Sequence, residues 1–226
     1  MMKNALPVLL SVNAGYVDTA GFLALHGLFT AHVTGNFVTL GAALVMGTTG
    51  VLAKLLALPV FCAVIFALRW SGSRLSGRLQ PQLRGVLALQ TLLLVIGGVL
   101  VFRLGISHDG DTPAEVLAGM VLVAAMALQN AASRIRLPSA PPTTMMTGTT
   151  TQVMLDLADL AGAGQAGVDR AAVLGRLAKV GANVAAFAAG CGVAALLFHF
   201  FGTGCFAVPP LLTLAAVIVQ RAEGGQ

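Results

Sequence analysis

The chain is 226 residues long, 57% hydrophobic and only 9% charged, with a mean hydropathy of +0.90. A soluble globular domain carries about 25% charged residues, so this composition excludes a soluble domain of useful size and leaves an integral membrane protein. The formal charge of +5 comes from basic residues in short loops between apolar runs, which read as topology signals and not as a nucleic-acid surface.

The first apolar run covers about 5–28. Lys3 and the run into Val12-Asn13-Ala14 imitate a signal peptide with a cleavage site, but the apolar stretch continues to Leu28, so an uncleaved first span is expected. Asp18 is the only acidic residue near the middle of a predicted span. An ionised carboxylate there costs about 2.5 to 3.5 kcal/mol, so it is expected to be protonated, paired or facing water. Then come His26 and His32, a titratable residue type with no assignable partner here, and the signature His32-Val33-Thr34-Gly35-Asn36, which opens a short polar-headed segment, about 35–47. Spans at about 51–70 and 84–106 follow, joined by the polar, basic linker 71–83.

The second half repeats the pattern. A loop with Asp109, Asp111 and Glu115 leads into a span at 114–134 that carries Gln129-Asn130. A second Thr-Gly signature, Met146-Thr147-Gly148-Thr149, opens another short segment at 148–162. Its Asp156 and Asp159, near the cytoplasmic mouth, read as solvated carboxylates ahead of cation-attracting ones. A Gly-rich stretch at 162–175 and spans at 176–199 and 204–220 complete the chain.

Whether the two short segments cross the bilayer decides the topology. Eight spans with cytoplasmic termini put Arg69, Arg74, Arg78 and Arg84 outside, and the flipped arrangement divides the basic residues six to seven. If both segments dip in and return, Lys3, Arg69, Arg74, Arg78, Arg84, Arg134, Arg136, Arg170, Arg176, Lys179 and Arg221 become cytoplasmic, against Lys54 and Arg103 outside. The bias of basic residues toward the cytoplasm favours the second arrangement. The expected fold is therefore an all-α integral membrane domain with six transmembrane helices and two short re-entrant half-helices. It forms two inverted repeats, about 5–106 and 114–220, with both termini cytoplasmic.

In that arrangement the half-helix N-termini face the membrane centre with free backbone amides as a weak positive pole. Thr34 is placed to cap the first, Gly35 allows close backbone approach, and Asn36 offers donor and acceptor; Thr147, Gly148 and Thr149 do the same from the other side. Two opposed ends of this kind form one polar or anionic ligand site, or they only satisfy a broken backbone. Gln129 and Asn130 correspond to Asp18 and either line that site or bridge helices. Bridging, worth about 0.6 kcal/mol per bond, is the reading for Asn13 and Asn183. The glycines 15, 21, 41, 47, 181, 190 and 192 suit close helix packing.

No Gly-x-Ser-x-Gly, His-Glu-x-x-His or phosphate-loop motif is present, and Cys62, Cys191 and Cys205 fit neither a disulfide framework nor a metal site. The chain is expected to be neither an enzyme nor a cofactor carrier.

The pattern Gly15-Tyr16-Val17-Asp18, Phe29, His32-Val33-Thr34-Gly35-Asn36, then Gln129-Asn130 and Thr147-Gly148 resembles the YoaK-like membrane proteins, the domain of unknown function 1275 family. The resemblance covers essentially the whole chain; its second motif is looser, with Thr149 where Asn36 stands in the first. It implies a bacterial multi-pass inner-membrane protein and no particular substrate. The residues themselves lead to a transporter or channel for a small polar or ionic solute, with Asp18 as the coupling or coordinating carboxylate. The rival expectation is a non-transporting scaffold or accessory protein. The lipid bilayer is the expected partner, with a solute or ion and a homo-oligomer as further ones, and no nucleic acid.

Overall fold

The computed structural model describes residues 5–74, 82–105, 111–138, 140–144, 146–162 and 169–224. Lys3, Arg78 and Asp109 of the charge argument, most of the 71–83 linker and residues 163–168 of the Gly-rich stretch lie outside the described residues.

The regular elements of the described chain are all helical: α1 (Ala5–Ala24), α2 (Gly35–Met46), α3 (Val51–Arg74), α4 (Leu83–Leu104), α5 (Pro113–Arg136), α6 (Met146–Ala161), α7 (Arg170–Phe201), a 3-10 turn (Gly202–Ala207) and α8 (Val208–Gly224). Five stretches are long and apolar enough to cross a membrane: Ala5–Ala24, Val51–Gly72, Leu83–Leu104, Pro113–Arg136 and Arg170–Arg221. The last, of 52 residues, contains α7, the 3-10 turn and α8. At 12 and 16 residues, α2 and α6 are about 18 and 24 Å long, short of a hydrocarbon core of about 30 Å.

Local sequence sets the helix ends. α1 stops at Ala24, four residues before the end of its apolar run, because His26 and Gly27 both adopt positive φ (52° and 81°). α2 closes on Gly47 at φ 66°, a left-handed C-cap whose N–H reaches the Ala43 carbonyl. α5 opens on an N-cap: the Thr112 hydroxyl accepts from the Glu115 N–H at 3.4 Å and donates to the Glu115 carboxylate at 2.6 Å, with Pro113 at the first helical position. Asp169 caps α7 by accepting from Ala171 and Ala172 N–H.

α1 and α5 form the centre. α1 packs on α7 and α8, α5 on α3 and α4, α2 lies on α3, α6 on α7, and α4 meets α8. Exchanging α1–α4 with α5–α8 maps this set of contacts onto itself. The α1–α7 crossing is close because it is made of glycines: a Cβ on Gly15 would overlap the Phe187 carbonyl, and one on Gly190 would overlap that of Val12. Gly21 is similarly tight against Thr30, at 2.9 Å. Gly41, Gly47, Gly181 and Gly192 have nothing within 4 Å of an added Cβ, so close packing does not explain them.

Candidate functional site

Beyond Ala24 the chain turns and runs back beside α1. Thr30 and Ala31 donate their N–H groups to Asp18 Oδ1 at 2.7 and 2.8 Å, with His32 N–H and the Thr30 hydroxyl at 3.4 Å. Asp18 is the sixth residue back from the end of α1, so the returning segment reaches about 9 Å along that helix. The other carboxylate oxygen, Oδ2, takes His32 Nδ1 at 2.7 Å. Asp18 is 4% exposed and paired on both oxygens, one of the states expected for it.

Asn36 closes the same loop. Its Oδ1 accepts from Phe29 N–H and its Nδ2 donates to the Phe29 carbonyl, both at 2.8 Å. The expected free amide pole of α2 is absent, because Gly35, Asn36 and Phe37 N–H donate to the carbonyls of His32, Val33 and Thr34 in 3-10 fashion. For the same reason Thr34 makes no side-chain cap. The amides that meet a carboxylate are instead those of the loop, 30–32. At the far end of α2, the Thr49 hydroxyl lies 2.9 Å from His26 Nδ1, so the segment that leaves near the end of α1 comes back to it.

The second half is built from amides. Gln129 Oε1 accepts from Asn13 Nδ2 and Gln90 Nε2, both at 2.8 Å, and its Nε2 donates to the Leu10 carbonyl at 2.8 Å. Gln129 and Asn13 thereby bridge α1, α4 and α5. Asn130 Nδ2 donates to the Thr144 hydroxyl at 2.6 Å, and Ser133 meets Thr143 at 3.1 Å. Asn130 is the sixth residue back from the end of α5, the counterpart of Asp18 on α1. Asn183 reaches the Pro141 carbonyl at 3.5 Å. Thr147, Gly148 and Thr149 fall inside the first turn of α6, whereas Thr34 precedes α2.

A cavity of about 560 Å³ opens where the first half meets α7, lined by Asp18, Phe29, His32, Thr34, Phe187 and Cys191 among others, and Gly35 reaches it too. The second-half residues line other spaces: Asn130, Ser133 and Thr144 a pocket of about 180 Å³, and Thr147 an open depression on α6. Asp156 is not solvated as expected. It is wholly buried and holds the Arg176 guanidinium through Nε (3.0 Å) and Nη2 (2.6 Å), with Gln152 also donating to it; Asp159 is exposed. Among the described residues no three His, Cys, Asp or Glu side chains converge as a metal site, and the three cysteines are free.

Sequence reasoning left His32 without a partner and did not bring in Phe187, Cys191, Gln90, Thr143 or Thr144. The only signal for the first was the spacing of Asp18 and His32 across a turn containing Gly27. The α7 and α4 residues carry no signal until the helices are packed.

A family model described as "Protein of unknown function (DUF1275)" matches residues 6–219. The chain belongs to the DUF1275 family. The DUF1275 resemblance seen in the Tyr16–Asp18 and His32–Asn36 motifs thus holds along nearly the whole chain. A relative, "UPF0700 transmembrane protein YoaK" of Bacillus subtilis (strain 168), is 30% identical over 157 residues, 69% of this chain and 67% of its own. No solved structure matches. With the helices above, this DUF1275 chain is a multi-pass, all-α membrane protein.

Proposed function

We propose that this protein is an inner-membrane transporter or channel for a small polar or ionic solute, working through the cavity walled by Asp18 and His32. The observation that carries the proposal is the 2.7 Å contact of His32 Nδ1 with Asp18 Oδ2 at the wall of a 560 Å³ space. A titratable pair at span depth, open to a space of ligand size, suits a site that binds and releases solute with a change of protonation.

The topology that suits this role has six spans and two re-entrant half-helices, arranged as inverted repeats 5–106 and 114–220 with cytoplasmic termini. What supports it is the length of α2 and α6, the return of Thr49 to His26, the matching depth of Asp18 and Asn130, and the interchangeable contact set. Thr34 and Gly35 border the proposed site and Asn36 shapes its loop. Gln129, Asn130, Thr147, Gly148 and Thr149 belong to the second half's counterpart.

The scaffold reading has its own support: Asn36 and Asp18 Oδ1 are occupied by backbone. A thermal-shift screen of purified protein against small anions, cations, amino acids and sugars separates the two. A solute that raises the melting temperature of the native protein but not of His32→Gln supports transport or channel binding. No stabilising solute, with both Asp18→Asn and Asn36→Ala less stable, puts the scaffold first.

A further inference from the structure

If the cavity is the solute site, its lining sets the class of solute. The walls carry Phe22, Leu23, Phe29 and Phe187, so most of what they enclose is apolar. Asp18 is a poor anchor for a cation, because Oδ1 is taken by loop amides and Oδ2 already accepts from His32, which leaves a single lone pair on Oδ2. With Asp18 ionised, as its three backbone N–H donors favour, the carboxylate only accepts, so Nδ1 of His32 carries the hydrogen and the open nitrogen of the ring is Nε2. The His32 side chain is 33% exposed and lines the cavity.

Neutral, Nε2 is an acceptor; with a proton added it becomes a donor on a positively charged ring. The Thr34 hydroxyl, which caps nothing, is a second donor on the same wall. The titratable groups facing His32 are Asp18 from α1 and Cys191 from α7, and among the described residues no Lys or Arg lines the space. We infer that the cavity takes an organic carboxylate with an apolar body, bound together with one proton on His32 Nε2. Proton and monoanion add no net charge, which is the least costly way to bring an anion to this depth. The three phenylalanine rings hold the body, and His32 and Thr34 hold the head.

The test uses Cys191 as a reporter on the cavity wall, in the purified Cys62→Ser protein, where the exposed thiol is gone and Cys205 is buried. The maleimide modification rate of Cys191 is compared with and without benzoate, benzamide, benzylamine and decanoate, as a ratio at pH 6 and again at pH 8. Benzoate or decanoate should slow modification several-fold at pH 6 and less at pH 8, benzamide and benzylamine should not, and His32→Gln should abolish the protection. Benzoate alone points to a soluble acid and decanoate alone to a membrane-borne one; either supports the proposal. Equal protection by benzamide, stronger protection by benzylamine, or carboxylate protection that ignores pH overturns it while leaving a solute site in place. No protection by any compound, together with an empty thermal-shift screen, removes both the inference and the proposed function. The pH and head-group comparisons need no variant, so they stand even where His32→Gln fails to fold.

Discussion

Asn36 and Phe29 are joined by two hydrogen bonds of 2.8 Å, the side-chain amide of one pairing with both backbone groups of the other. Seven residues apart, they close the loop that leads into α2 as a strand pair would, at a place where no strand exists to do it. Removing the amide strands a backbone donor and an acceptor, each costing about 1 to 3 kcal/mol where water is excluded. Asn36→Ala should therefore lower stability by about 2 kcal/mol or more, and Asn36→Asp, which turns a carboxylate oxygen toward the Phe29 carbonyl at a buried position, by at least as much. Melting in detergent without added solute checks this, and a native-like Asn36→Ala would show that the pairing does not hold the loop.

The Asp18–His32 pair should show coupling of its own. A hydrogen bond to a charged group contributes about 1.5 to 3 kcal/mol, reduced here because a third of the His32 side chain is exposed. A double-mutant cycle of Asp18→Asn and His32→Gln should give a coupling energy of about 1 to 2 kcal/mol. Asp18→Ala should be more damaging than His32→Gln, because it also removes the Oδ1 acceptor of the 30–32 amides, which Asp18→Asn retains. Additive effects would mean that the two side chains are adjacent and energetically independent.

Much of the fold was legible, and the reason is physical: in lipid the backbone must satisfy itself, so length and hydropathy alone select helices. The positions of Asp18, Asn36 and Gln129 as costly polar groups were legible for the same reason. Their partners were not. Asn36 looked like a ligand group because an amide with donor and acceptor reads the same whether it faces a solute or the Phe29 backbone. Asp156 looked solvated because the fork from Arg176 crosses from α7, 20 residues on. Thr34 looked like a cap, and only the 3-10 turn of 32–37 shows that its helix has no amide left to cap.

The α1–α7 crossing predicts a contrast between glycines one turn or less apart. Gly190→Ala forces a methyl onto the Val12 carbonyl, and Gly15→Ala does the same at Phe187; both collisions are with backbone, which cannot swing aside. Overpacking of this kind costs about 1 to 3 kcal/mol or more. Gly192→Ala, with open space around its Cβ, should be close to neutral. Equal effects at Gly190 and Gly192, measured by thermal melting, would show that the helices are not in close contact there.

α6 is tied to α7 by the Asp156–Arg176 fork, whereas α2 packs on α3 and its buried residues are Asn36 and Ala43. Arg176→Ala should therefore speed amide hydrogen exchange across α6 several-fold and leave α2 unchanged. Arg176→Lys, a single-point donor without the fork, should fall between. Exchange that rises equally in α2 and α6 would indicate a global loss of stability and not the release of one helix.

The two short helices decide how often the chain crosses the bilayer, and the decision can be read without knowing which side is cytoplasmic. If α2 dips and returns, only α1 crosses between Ala5 and Thr48, so single cysteines at those positions face opposite sides. If α2 spans, there are two crossings and both label from the same side. Ala114 and Gly162 make the same test for α5 and α6. All but Ala114 lie outside the helices or at a terminus, and all four are exposed, so substitution disturbs little. In a cysteine-free background, opposite-side labelling of both pairs is expected in intact membranes. The geometry that leads to this expectation is the Thr49–His26 contact, which brings the end of α2 back beside the end of α1. Same-side labelling of either pair would require that half to cross four times, and the inverted relation of the repeats would go with it.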